Sequence, residues 1–447
     1  MERSAETRDL PLGLLVRSVT RDALDENNYS EDSVAKISDC DYIASYNWTT
    51  DKHPTIIVPG EPPCWSPPDK QGRLDEDSGI YYRDSNAAKY SDNPTEPGVR
   101  ALLQEDMKLE TNEIDVFACG SILRSLLQFV SPDTRAKPFG FLVELVGNTV
   151  FFMRREKSPT QIIEDVRGFG HSFPARYCAW DAGVAGSDSH QRLIRYNLGG
   201  LACIVRSQTD GYPPDLAELK LKHAPEADDQ ARFITPAPAQ TKLSLERTGR
   251  RIPQDSIFDL KTRSIKCREM INTLEEELPR LWLTQTPNFV LAYHKQGLFA
   301  HDDIEIIDVR EKVKDWEEEN VKTIARLMKL MKIIIAAVKA RKDGRLEVVC
   351  TMADRSLELR EQTDDLPAAL PPVLMALWSA GGGGGITAAG AGATATNDVR
   401  HAGKEEGEDD DDKTWSGGSD EDALCLSDED DDDDDDGGGG GTGLYPF

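Results

Sequence analysis

The stretch from Phe139 to Arg154 constrains this chain more than any other, because it reads as a β-hairpin and commits the fold to a sheet. Two runs rich in β-branched and aromatic residues, Phe141-Leu142-Val143-Glu144-Leu145-Val146 and Thr149-Val150-Phe151-Phe152-Met153, flank Gly147-Asn148, a pair suited to a tight turn. Arg192 to Asp210 repeats the form around Gly199-Gly200. Ile257 to Ser264 reads as a further strand, and Phe289 to Tyr293 can pair with Ile304 to Val309 across the Lys295 to Gly297 turn. Helices are expected over Val99 to Gln104, at the end of Glu113 to Val130, and over Val321 to Val338. In the last of these, Ile324, Leu327, Met328, Met331, Ile334, Ile335 and Val338 recur at helical spacing. Together these segments predict an α+β protein built on one mixed, largely antiparallel sheet with flanking helices.

Chemistry enters at Ile257 to Ser264. There Phe258 and Leu260 alternate with Asp259 and Lys261, so on a strand the apolar pair faces a core and the acid and lysine share the other face. Asp210 ends the Arg192 to Asp210 hairpin, just before Gly211. Two carboxylates and a lysine converging at strand ends can hold a hard, oxygen-seeking cation such as Mg²⁺ and position a water for attack on phosphate. The plainer reading is a salt-bridged strand surface. Glu218-Leu219-Lys220 has the same form in a stretch that reads as a solvated helix. His171 and His294 read as partly buried structural side chains, and Tyr293 and Trp282 as core.

The chain has 447 residues, 38% of them hydrophobic, which is enough for a large folded domain. Its formal charge of −28 is concentrated: Lys404 to Phe447 holds 19 acidic residues against Lys404 and Lys413, leaving −11 elsewhere. Net charge therefore does not favour long-range attraction to nucleic acid, and RNA binding would need a local basic groove. Residues 1–40 read as a loose polar arm and 41–362 as a single domain with a flexible insertion near 224–253. Residues 363–447 read as a disordered Gly- and Asp/Glu-rich tail suited to basic protein partners. Eight cysteines, at 40, 64, 119, 178, 203, 267, 350 and 425, show no Cys-x-x-Cys pair and no zinc spacing. Reduced thiols in an intracellular compartment, nuclear or cytoplasmic, are expected. The N-terminus makes no secretory apolar region, and no stretch has the uninterrupted apolar length of a membrane span.

Several stretches in order carry a resemblance: Tyr46-Asn47-Trp48, Pro54-Thr55-Ile56, Val58-Pro59-Gly60, Trp65-Ser66-Pro67-Pro68, Gly168-Phe169-Gly170-His171, Asp210-Gly211-Tyr212, Phe258 to Ser264, and Pro287 to His294. They are similar to a family of fungal proteins commonly labelled geranylgeranyl pyrophosphate synthetase. Prenyl synthases are all-helical and hold Mg²⁺–diphosphate on Asp-x-x-Asp pairs of facing helices, whereas this chain reads as a sheet protein whose aspartate runs sit in the tail. More distantly, over about residues 42 to 340, the order of elements resembles the DXO-type RNA decapping nucleases. That resemblance implies a mixed sheet, divalent metal, and removal of noncanonical caps from RNA 5′ ends. The family's hairpin-end aspartate falls on Asp210, and the acid and lysine of its strand motif fall on Asp259 and Lys261.

Other family positions depart. Gln208 stands where a glutamate belongs, Ser172 or Pro174 stands where another glutamate follows the Gly-aromatic motif, and the helix-preceding arginine falls near Gly120. The resemblance thus implies a divergent, metal-dependent hydrolase of RNA 5′ ends, with Asp210 and Asp259 as ligands of Mg²⁺ or Mn²⁺ and Lys261 as the group that orients water or stabilises phosphate charge. The competing class is a noncatalytic interaction protein that retains the fold. A geranylgeranyl diphosphate synthase comes third and requires a predominantly helical chain.

Overall fold

The computed structural model describes residues 12–25, 35–105, 109–132, 138–215, 242–350, 356–363 and 366–381. Among them, eleven strands form one sheet, in the order Leu15–Thr20, Ser356–Arg360, Arg345–Cys350, Phe139–Val146, Thr149–Arg154, Val116–Cys119, Leu201–Gln208, Ser187–Leu198, Ile37–Thr49, Thr55–Gly60 and Ser244–Gly249. The expected hairpins are both present: Phe141 pairs with Arg154 and Val146 with Thr149, while Leu201 pairs with Leu198 and Gln208 with Gln191. Most pairings are antiparallel, and Val116–Cys119 runs parallel to both of its neighbours.

The central strands are buried on both faces, and the period of two sorts their side chains cleanly. Phe141, Val143, Val150, Phe152, Cys203 and Val205 join a core with the helices Gly120–Val130 and Val321–Lys339. Their neighbours Leu142, Phe151, Met153 and Ile204 point the other way, into a core with the helices Glu96–Glu105 and Pro372–Ser379. The apolar stripe of the Val321–Lys339 helix is core, as its spacing predicts.

A second sheet differs from the single sheet expected. Phe258–Ser264 pairs in parallel with Asn288–His294, which pairs antiparallel with Ile304–Asp308. A parallel pair needs a crossover, and the helix Thr273–Thr284 supplies it. On one face, Phe258, Leu260, Val290 and Ala292 pack with Phe169, Phe173 and Phe299. On the other, Phe289, Leu291 and Tyr293 pack against Leu274, Leu278 and Leu281 of the crossover helix.

Three described segments carry structure where the sequence suggested none. Leu15–Thr20, inside the stretch read as a loose arm, is an edge strand paired with Ser356–Arg360; most of its residues are exposed, so it has no apolar alternation to read. Ser244–Gly249, inside the stretch read as a flexible insertion, lines the opposite edge in parallel with Thr55–Gly60 and is polar for the same reason. Pro372–Ser379, beyond the expected end of the domain, is a helix whose Trp378 is buried; its indole N–H donates to Thr149 Oγ1 at 2.9 Å, and its ring meets Phe151 edge-on at 5.4 Å. Residues 1–11, 26–34, 216–241 and 382–447, which include Glu218-Leu219-Lys220 and the acidic run, lie outside the described residues. The seven described cysteines form no disulfide, and no described helix is long and apolar enough to cross a membrane.

Candidate functional site

The structure brings Asp210, Asp259 and Lys261 together at the junction of the two sheets. Asp210 follows the Leu201–Gln208 strand, and the next residue, Gly211, accepts a hydrogen bond from the Phe258 N–H at 2.9 Å. A Cβ on Gly211 would stand 2.5 Å from the Phe258 ring and 2.8 Å from Pro63 O, so only glycine allows this approach. The approach sets Asp210 against the second strand: its Oδ2 accepts the Leu260 N–H at 2.8 Å, and Asp259 Oδ1 accepts the same N–H at 2.9 Å.

The parallel register decides what Asp259 and Lys261 face. Asp259 lies beside Phe289 and Lys261 beside Leu291, and those two apolar side chains pack on the Thr273–Thr284 helix. The acid and the lysine therefore face that helix too, as period-two alternation requires. Both are buried. The helix meets them with Glu277 and Arg280, three residues apart and so on one face. Arg280 donates from Nε to Glu277 Oε2 at 2.6 Å and from Nη1 to Asp259 Oδ2. One guanidinium thus bridges two carboxylates.

Charge at this centre is closely balanced. Burial pushes the Asp210 carboxyl well above the usual carboxylate range, and the negative charge and hydrogen bond of Asp259 push the same way, against the weaker pull of Arg280 and the Leu260 N–H. For Glu277, burial works to raise the pKa, but the cations Arg280, Lys261 and Arg124 together bring it down to about 2. Glu277 is fully buried, and its second oxygen, Oε1, has no hydrogen-bond partner among the described residues.

The fold resemblance implies a divalent cation, and the residues here do not fit one. A hard dication needs several anionic oxygens turned toward it. Burial holds the Asp210 carboxyl above the usual carboxylate range, Asp259 faces a guanidinium, and among the described residues no three Asp, Glu, His or Cys side chains are gathered as a ligand set. The other motif positions add none. Gln208 ends its ladder opposite Gln191. At Gly168 to Pro174, Phe169 and Phe173 belong to the cluster on the opposite face of the Phe258–Ser264 strand from Asp259. The carboxylate at that corner is Asp77, which accepts the backbone N–H groups of His171 and Ser172 at 2.9 and 2.8 Å. Glu144, a conceivable substitute, accepts the Ala369 N–H at 2.5 Å and lies 3.7 Å from Arg345 in the large sheet.

His171 stacks on Tyr81 with ring centroids 3.6 Å apart, and His294 packs against Phe169 and Phe299; both histidines are buried. Glu277, Arg280 and Arg124 are the site residues that sequence reasoning missed. A signal for them existed: Glu277 interrupts the apolar face Leu274, Leu278, Leu281, where a charge stays only if something pairs with it.

The comparisons with known proteins bear on the fold. A family model described as "Domain of unknown function (DUF8563)" matches residues 16–361. No curated protein matches. Among solved structures, Scheffersomyces stipitis Rai1, in complex with (3'-NADP)+ and calcium ion, is similar at 13% identity and a TM-score of 0.50, covering 83% of this chain and 99% of that one. S. pombe Rai1 is similar at 10% identity and a TM-score of 0.49, covering 78% and 99%. K. lactis Dxo1, in complex with manganese, is similar at 9% identity and a TM-score of 0.44, covering 79% and 97%. A fold of this sheet-built kind is not the all-helical fold of a prenyl synthase. With the family model spanning the whole body from the first edge strand to the Ser356–Arg360 strand, the chain belongs to the DUF8563 family.

Proposed function

We propose that this chain is a noncatalytic protein that binds RNA 5′ ends on a decapping-nuclease-like fold, holding the terminal phosphate with its own cations. The observation that carries this reading is the charge balance of the centre: Lys261, Arg280 and Arg124 all act on Glu277, Arg280 also binds Asp259, and burial holds Asp210 toward its protonated form. A metal-dependent hydrolase needs the opposite sign, an excess of carboxylate to draw two cations. A site with this balance meets a phosphate without an intervening metal.

Arg280 is the member that reaches solvent, with its side chain 23% exposed. Of the five N–H donors of a guanidinium, two are given to Asp259 and Glu277, and others remain for phosphate oxygens. Lys261 adds positive charge that acts on Glu277. The nucleotide in Scheffersomyces stipitis Rai1 supports a nucleotide ligand for this fold. The acidic run of residues 404–447 serves basic protein partners in this reading and repels RNA from all but the cationic centre.

The test is binding and turnover on the same RNA. Fluorescence anisotropy with 5′-triphosphate, 5′-monophosphate and 5′-hydroxyl RNA should show preference for the phosphorylated ends, unchanged by EDTA. Lys261→Ala removes one positive charge from the centre and should weaken that binding about fivefold, roughly 1 kcal/mol. Release of phosphate or cap by the unaltered protein with Mg²⁺ or Mn²⁺, lost in Lys261→Ala and in EDTA, would overturn the reading in favour of a working hydrolase. Equal affinity for all three ends would remove the phosphate from it.

A further inference from the structure

Four of the eleven large hydrophobic side chains exposed among the described residues lie within five positions, Leu12, Leu14, Leu15 and Val16, and Leu14 is 74% exposed. They sit at the start of the Leu15–Thr20 strand, which ends the eleven-stranded order. One side of it pairs with Ser356–Arg360, and the other side pairs with no strand among the described residues. An open sheet edge offers backbone N–H and C=O groups to a further strand, and apolar side chains beside it reward one that covers them. We propose that this edge takes a twelfth strand from the chain's own C-terminal segment, centred on Ala423-Leu424-Cys425-Leu426. The inference stands apart from the RNA-binding role, which concerns the centre around Arg280.

Chemistry, charge and reach select that occupant. Leu424 and Leu426, two positions apart, share one face of a strand and supply apolar cover for the exposed group. Acids flank them on both sides, Asp420-Glu421-Asp422 before and Asp428-Glu429-Asp430 after. The edge meets those acids with cations: Arg17 is exposed and makes no ion pair among the described residues, and Arg21 rests on the Phe129 ring at 5.5 Å with its Nε unpartnered. The acids of the neighbouring strand do not compete, because Glu358 and Glu361 are held by Arg360 and Arg341. The other apolar run of the segment, Leu444-Tyr445-Pro446-Phe447, contains a proline, which lacks the N–H that a ladder needs, and follows glycines instead of acids. Reach comes from the register. Leu15, Arg360, Glu347 and Leu142 lie side by side across four strands, and Gly147, five residues past Leu142, abuts Ser379. The edge is therefore about 20 Å from the last described helix. A chain of roughly 40 residues, the length from Gly381 to Ala423, spans about 35 Å, so the segment is held near the edge at an effective concentration on the order of millimolar.

Backbone hydrogen exchange of the full chain, read by mass spectrometry, tests this against a synthetic peptide of residues 417–431. The amides of Leu424 to Ser427 should exchange at least about tenfold more slowly in the chain than in the peptide. Leu14→Asp, at an exposed position, should return them to the peptide rate. Leu426→Asp, which alters the C-terminal segment alone, should do the same against its own matching peptide. Equal rates in the unaltered chain and the peptide overturn the proposal, as does slow exchange that persists in a folded Leu14→Asp. If Leu14→Asp does not fold, Leu426→Asp decides, and slow exchange that persists there overturns it. Slow exchange that is lost on dilution, together with a dimer in sedimentation, would seat the segment on a second copy and overturn pairing within one chain. The affinity for RNA 5′ ends is read separately, so the failure of one proposal leaves the other standing.

Discussion

Asp259 and Asp77 are both buried carboxylates beside the small sheet, and they differ in what they hold. Asp259 faces the guanidinium of Arg280, whereas Asp77 gives its oxygens to the backbone N–H groups of His171 and Ser172 at 2.9 and 2.8 Å. A carboxylate fixed on backbone is committed, because those donors cannot leave without unfolding the start of the Ser172–Tyr177 helix. A carboxylate fixed on another side chain can exchange that partner for a ligand. The two acids therefore separate a fixed carboxylate from an exchangeable one in one small region. Only the Asp259 centre keeps groups whose partners could change.

The largest effect that would break this contrast is Glu277→Ala. The side chain is fully buried and its partner Arg280 is 23% exposed, so removal leaves Arg280 with Asp259 alone and takes the nearest counter-charge from Lys261 and Arg124 as well. Breaking a buried pair costs about 3–5 kcal/mol, and the partial exposure of Arg280 points to the lower end of that range. Urea unfolding should show the midpoint falling accordingly. A loss below about 1 kcal/mol would mean that the centre is no tighter than a surface pair.

Acid should take the two regions apart in sequence. Burial depresses His171 from its ordinary 6.5 to about 4, where it is stacked on Tyr81. Below pH 6.5 the unfolded chain takes up a proton that the folded histidine refuses, so the unfolded state binds more protons and stability falls from pH 6.5 toward 4. The full shift is worth about 3 kcal/mol. His190, buried beside Asn47 and Arg192, is lowered too and adds to the same window. Glu277, held at about 2, contributes stability that is complete above its ordinary 4.5 and disappears as pH falls through 2. His171→Gln should flatten the slope of urea midpoint against pH between 6.5 and 4, while leaving the loss between 4.5 and 2 in place. An unchanged slope between 6.5 and 4 would mean that His171 titrates normally.

What the sequence discloses follows from how local each cause is. The period of two put Asp259 and Lys261 on one face of a strand, and that face is the one they occupy. The apolar stripe from Ile324 to Val338 likewise forecast a buried helix face. The partner of Asp259 was hidden because it is set by a parallel register and a crossover helix, neither of which leaves a mark in the strand itself. Glu277 and Arg280 at a spacing of three look like any solvated helix pair until the leucines around them are weighed. The edge strands at Leu15–Thr20 and Ser244–Gly249 escaped for the opposite reason: their ladder hydrogen bonds need no apolar side chains, so nothing in their composition announces them.

The smallest predicted effect tests the committed acid. Asp77→Ala removes two hydrogen bonds to backbone N–H groups at a helix start, a loss of about 1–2 kcal/mol in urea unfolding. It should leave the affinity for 5′-phosphorylated RNA unchanged, in contrast with Lys261→Ala, because Phe169 and Phe173 put this corner on the opposite face of the Phe258–Ser264 strand from Asp259. If the same variant weakens RNA binding while its fold is intact, the backbone that Asp77 orders would itself touch the ligand, and the binding surface would wrap around the small sheet instead of ending at Arg280.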